Sequence, residues 1–89
     1  MKESTRDEFL TLAEQKRNAT KDNPVWVSIS QKLGQNAPLS VDELDALQHE
    51  ALKKIAYLKE QKEKGRESSS IKLHLLEQAY TDQYGELPK

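Results

Sequence analysis

Apolar side chains recur along this chain every three or four positions, the spacing that places them on one face of an α-helix. Polar segments that contain Gly, Pro, Asn or Ser interrupt the pattern near residues 18–23, 34–40 and 65–70. The pattern therefore predicts an all-α protein with four helices, at about residues 6–17, 24–33, 41–64 and 71–84.

Local capping signals set the predicted helix starts. Thr5 with Glu8, and Ser40 with Glu43, fit capping boxes, in which a hydroxyl and a carboxylate satisfy each other's free backbone amides. Asn23-Pro24 opens the second helix, because Asn caps well and Pro at the first helical position lacks an amide hydrogen that would have no partner.

The connections between the helices predict how the chain is arranged. Gly34 is expected to close the second helix in the left-handed conformation, and residues 65–70 are expected to form a turn whose serines cap the fourth helix. Such a short connection favours an antiparallel hairpin, in which facing residue numbers sum to about 134. The expected architecture is a small bundle of about four helices built on this long hairpin.

Residues 25–30 allow a second interpretation, because their Val, Trp and Ile side chains favour β-structure and part of the segment alternates. A helix is favoured, since a lone strand in an 89-residue chain has no visible partner.

The composition indicates a folded chain. Apolar residues make up 35% and charged residues 33%, but the 14 basic and 15 acidic side chains nearly cancel, unlike in disordered segments of high net charge. At this length we expect a single helical domain over residues 1–89, with frayed ends at about 1–4 and 86–89.

Several classes of protein are disfavoured at this stage. The chain has no cysteine, so disulfides and thiolate metal sites are excluded. It also shows neither the apolar run of a signal peptide nor the ~20 apolar residues that span a bilayer. We therefore expect a cytoplasmic protein without a membrane partner.

The sequence contains no complete motif for metal binding, phosphate binding or catalysis. His49-Glu50 begins the zinc-protease pattern His-Glu-x-x-His, but Lys53 stands where the second histidine belongs, and the hairpin register places His74 about 15 Å away. The three glycines are isolated at helix ends and form no phosphate loop. No cofactor, no metal and no enzymatic activity are expected.

Charge is unevenly distributed. Residues 25–52 have a net charge of −3, whereas residues 53–72 have a net charge of +4. The basic side chains of the second segment are candidates for phosphate contacts in a nucleic-acid-associated regulator: Lys53, Lys54, Lys59, Lys62, Lys64, Arg66 and Lys72. A helix-turn-helix interpretation of residues 29–45 fails, because the turn is too long and the second helix begins with acidic residues.

Protein contact is the leading functional hypothesis. An amphipathic hairpin in a small bundle favours a non-enzymatic adaptor or regulator that binds a protein partner of unknown identity, including a second copy of itself. Trp26, Tyr57 and Tyr80 are the candidate interface residues, because large aromatic side chains are enriched in protein interfaces.

Overall fold

A computed structural model describes residues 1–88 of the chain. It contains four α-helices: α1 Glu3–Ala19, α2 Pro24–Gly34, α3 Val41–Glu63 and α4 Glu67–Tyr84. The described part of the chain holds no β-strand, so the all-α prediction is confirmed, and so is the helical interpretation of residues 25–30.

The helices form a bundle of about 36 × 28 × 22 Å. Helix α3 packs along α4 as the predicted antiparallel hairpin, and α1 packs against both α4 and α2. Helix α4 thus has two neighbours, α3 and α1. The core side chains come from all four helices: Phe9, Leu12, Ala13, Trp26, Ile29, Leu33, Leu47, Ala51, Ile55, Leu58, Leu73, Leu76, Ala79 and Tyr80.

Two predicted helix starts are confirmed. Asn23 caps α2 by accepting a hydrogen bond from the Val25 amide at 3.0 Å. Ser40 and Glu43 form both halves of the capping box of α3. Glu43 also accepts hydrogen bonds from Lys32 and Ser28, each at 2.6 Å, and so ties α2 to the start of α3.

The predicted capping box at Thr5 and Glu8 is wrong. Helix α1 begins earlier, at Glu3, and the buried Thr5 hydroxyl donates instead to the Asp82 carboxylate of α4 at 2.9 Å. A partner 77 positions away in sequence replaces the local one. This hydrogen bond, together with the neighbouring Lys2, holds the pKa of Asp82 below its ordinary value.

The predicted left-handed closure at Gly34 is also wrong. Gly34 is the last residue of α2, and Asn36 takes the left-handed conformation instead, with φ of 54°. The Asn36 and Ala37 amides then donate to the Leu33 and Lys32 carbonyls, which is the Schellman pattern. Asparagine can replace glycine here because it tolerates positive φ better than most residues.

The turn of the hairpin is shorter than predicted. Helix α4 begins at Glu67, so the serines at 68–70 lie within its first turn and do not precede it. Two hydrogen bonds across the hairpin join Gln48 to Tyr80 and Leu44 to Tyr84, pairs whose numbers sum to 128 and not 134. The register differs because the turn lies nearer the N-terminus than expected.

The predicted frayed ends, at about 1–4 and 86–89, stay a prediction, and Lys89 lies outside the described residues. Leu87, just before that limit, is partly buried against the core.

Candidate interaction surface

The structure separates the three aromatic interface candidates. Trp26 and Tyr80 are core residues, with exposed fractions of 7% and 1%, whereas Tyr57 is 50% exposed. The Tyr80 hydroxyl accepts a hydrogen bond from the Gln48 amide at 3.0 Å, so this polar group is used inside the bundle. Tyr57 alone of the three lies open to a partner.

Tyr57 stands on the outer face of α3 beside one of the basic candidates. The Lys54 ammonium nitrogen lies 5.2 Å from the centre of the Tyr57 ring, within the range of a cation–π contact. The pair presents a positive charge and an aromatic face at the same point of the surface.

The seven basic candidates do not form one patch. Lys54 and Lys72 line a cleft beside α1, whereas Lys59 and Lys62 line a separate shallow groove with Glu63 and Glu77. Lys64 forms an ion pair with Glu60 at 3.3 Å on the same helix. The remaining basic side chains, Lys53 and Arg66, are exposed.

Two exposed apolar side chains on α4 were missed by the sequence analysis. Ile71 is 67% and Leu75 is 42% exposed, whereas Leu73 and Leu76 are buried. The four-residue spacing of Ile71 and Leu75 places them one turn apart, on a different face from the core leucines. That spacing is the signal by which the sequence could have shown them.

A cleft of about 260 Å³ lies where α1 meets the hairpin, and we call it the hairpin cleft. Three buried leucines, Leu12, Leu58 and Leu76, lie at its base, since each belongs to the core and also lines the cleft. Its polar lining comes from α1, α3 and α4: Glu8, Thr11, Gln15, Lys54 and Lys72.

Glu8 joins the hairpin cleft to the surface around Leu75. It lines both the hairpin cleft and an adjoining groove that also contains Leu75, Gln78 and Ala79. Burial and the neighbouring Asp7 raise the pKa of Glu8 above its ordinary value. The cleft and the exposed Leu75 therefore belong to one continuous surface of mixed apolar and charged character. Ile71 lies one helical turn before Leu75 on the same face of α4.

Neither histidine lines the hairpin cleft or the adjoining groove. Both are exposed, and the His49 Nδ1 atom lies 2.9 Å from the Asp45 carbonyl oxygen of the same helix. Among residues 1–88, no three His, Asp or Glu side chains come together closely enough to hold a metal ion. In the same part of the chain, no helix combines the length and the apolar character that crossing a bilayer requires.

Comparison with known proteins identified no match to this chain, whether among protein-family models, curated proteins or solved structures.

Proposed function

We propose that this protein acts by binding another protein, as an adaptor or regulator that catalyses no reaction. The observation that carries the proposal is the exposure of Ile71 and Leu75, one turn apart on α4, with Leu75 lining the groove that adjoins the hairpin cleft. Exposed apolar side chains next to a leucine-based cleft with a polar rim are typical of interaction sites. We call this region, with Tyr57 at its α3 edge, the hairpin surface.

The chemistry of the hairpin surface suits a helix or loop of a partner. Apolar side chains of the partner would cover Ile71 and Leu75, while Lys54 and Lys72 would meet acidic groups at the rim. The partner is either a foreign protein or a second copy of this chain. We place the contact in the cytoplasm, as the sequence predicts.

The direct test is a capture experiment with matched variants. The immobilised protein is incubated with extract of its source cell, and the bound proteins are compared with those held by the double variant Ile71→Gln, Leu75→Gln. The control variant is Val41→Gln, because Val41 is 82% exposed but lies at the start of α3. We expect a partner that the control retains and the double variant loses. Equal capture by all three proteins would contradict the proposal.

Self-association needs a separate measurement. Sedimentation velocity over a range of concentrations shows whether the pure protein forms a dimer, and the double variant shows whether the hairpin surface mediates it. If the protein is a monomer at every concentration, a second copy of this chain is excluded as the partner, and the partner is a different protein.

A nucleic-acid-associated regulator is the second candidate, favoured by one observation: residues 53–72 have a net charge of +4, and all their basic side chains except the partly buried Lys54 are exposed. Retention on immobilised DNA or RNA at increasing salt separates the two candidates. Contacts to phosphate predict a steep loss of binding between low and moderate salt, because counterions are released, whereas an apolar interface changes little. Steep, salt-dependent retention would favour the second candidate.

A further inference from the structure

A second cleft, of about 450 Å³, lies at the opposite side of the molecule from the hairpin turn, and we call it the end cleft. It forms where α1 begins, where α2 connects to α3, and near the end of α4. Its apolar lining includes Leu33, Leu39 and Leu44, and its polar lining includes Arg6, Asn36 and Gln83.

Arg6 lines this cleft with a side chain that is 25% exposed, and it carries one unused hydrogen-bond donor. Its Nε atom is buried and has no hydrogen-bond partner among residues 1–88. The nearest carboxylate oxygen, on Asp7, lies 3.9 Å from the Nη2 atom, which is too long for a hydrogen bond, and the Asp7 side chain is 63% exposed. The guanidinium is permanently charged, and a buried donor without a partner is unfavourable.

The chemistry of the end cleft specifies what would pair with Arg6. A carboxylate offers two acceptor oxygens that match the donors of a guanidinium, and such charge-assisted hydrogen bonds are stronger than neutral ones. Three leucines that line the same cleft favour an apolar body on the ligand, because a bare inorganic anion would leave their apolar surface in water. The volume lies within the range of small-molecule sites.

We infer that the end cleft binds a small organic carboxylate with an apolar body, held by Arg6 through its carboxylate and by Leu33, Leu39 and Leu44 through its chain. The site is independent of the hairpin surface, since neither Ile71 nor Leu75 lines it. A failure to bind this ligand would therefore not contradict the protein contact proposed above, and the reverse is also true.

The test compares two probes of similar shape and different charge, octanoate and octan-1-ol, each below its aggregation limit. Two-dimensional ¹H–¹⁵N NMR of the full chain observes the Arg6 Nε–H group directly, together with the backbone amides of Leu39 and Leu44. We expect octanoate to bind with a Kd below about 1 mM, to shift these signals, and to bind about tenfold more tightly than octan-1-ol because of the charged hydrogen bond.

Two variants assign the preference to Arg6. In Arg6→Gln the tenfold preference for octanoate is lost, while octan-1-ol still binds, which shows that the cleft remains folded. In the control Arg66→Gln the charge removed is equal, but Arg66 precedes α4 at the hairpin turn, so the preference is retained. The inference would be overturned if the unmodified protein bound both probes equally well, or bound octanoate with a Kd above about 1 mM. It would also be overturned if octanoate shifted only the signals of other residues, or if the preference for octanoate survived Arg6→Gln.

Discussion

Glu43 accepts hydrogen bonds from two elements at once, and this explains the state of its carboxylate. The Lys32 ammonium group, the Ser28 hydroxyl and the Ser40 amide all donate to it. These hydrogen bonds, led by the one from Lys32, lower its pKa to about 2 against the opposing effect of burial. The negative form is therefore the one that the folded protein stabilises.

This lowered pKa predicts how stability depends on pH. Because the folded pKa lies below the unfolded one, Glu43 contributes its full stabilisation above pH about 5 and loses it as the pH falls toward 2. At neutral pH, Glu43→Gln should lower the free energy of unfolding by about 1–2 kcal/mol, and the difference from the unmodified protein should shrink in acid. Urea denaturation of both proteins at several pH values measures this difference in the free energy of unfolding.

The exposed Glu60 provides the control for that prediction, because its ion pair with Lys64 lies in solvent on a single helix. Glu60→Gln should change the free energy of unfolding by less than about 0.5 kcal/mol at any pH. If both variants show the same pH dependence, Glu43 does not have the role assigned to it.

For Tyr84 we expect the free energy of unfolding to depend on pH in the opposite direction. Burial, reinforced by Tyr80 and Asp45, raises its pKa above the ordinary value, and its hydroxyl donates to the Leu44 carbonyl at 2.7 Å. Tyr84→Phe should cost about 1 kcal/mol near neutral pH through loss of that hydrogen bond. Above pH about 10 the unfolded state ionises more readily than the folded one, so the unmodified protein should lose this advantage.

Thermal or urea unfolding followed by circular dichroism tests Tyr84 from pH 7 to beyond about 10. Tyr57→Phe is the matched control, since Tyr57 is 50% exposed and its substitution should change the free energy of unfolding by less than about 0.5 kcal/mol. A constant difference between Tyr84→Phe and the unmodified protein across this range would contradict the assignment.

Among the elements, the start of α4 is capped poorly. Arg66 occupies the N-cap position with extended backbone angles, φ −88° and ψ 100°, and its side chain does not cap the helix. A positive side chain at this end also opposes the helix dipole. Asp at this position would accept hydrogen bonds from the free amides and reverse the unfavourable charge.

We therefore expect Arg66→Asp to raise the free energy of unfolding by about 1 kcal/mol relative to Arg66→Ala, which removes the charge without adding a cap. Urea denaturation of the two variants measures the difference. Equal stability would show that the first turn of α4 does not limit the stability of the hairpin.

The elements that the sequence predicted correctly are those fixed by neighbours in the chain. The Ser40 and Glu43 box closes over four residues, and Asn23 caps the amide two positions later, so local pattern was sufficient. Thr5 failed as a cap because its hydroxyl is bonded to Asp82, which only the packing of α1 on α4 brings within reach.

The candidate sites were less accessible to sequence analysis for the same reason. Periodicity places Ile71 and Leu75 on one face of α4, but their exposure depends on where α1 lies across the hairpin. Arg6 gave no signal, because the end cleft joins segments from α1, the connection after α2, and the end of α4. Trp26 and Tyr80 were chosen for their size, and the same size places them in the core.

In the whole molecule, α1 is the element that connects α2 to the hairpin of α3 and α4. It packs against both α2 and α4, whereas direct contact between α2 and α3 is limited. Phe9 is fully buried in α1 and lies edge-on to the Tyr84 ring, with ring centres 6.0 Å apart. Without α1, helix α2 would be held on the hairpin mainly by the hydrogen bonds from Ser28 and Lys32 to Glu43.

This arrangement predicts that the bundle unfolds in one step and that Phe9 stabilises all of it. Phe9→Ala should lower the free energy of unfolding by about 3–5 kcal/mol, a large share of what a domain of this size possesses. Two probes test the cooperativity: fluorescence of Trp26, the one tryptophan in the sequence, reports on α2, and circular dichroism reports on every helix. Their urea transitions should coincide in the unmodified protein and shift together in Phe9→Ala. A Trp26 transition at lower urea than the loss of helix would show that α2 detaches first and that α1 does not unite the fold.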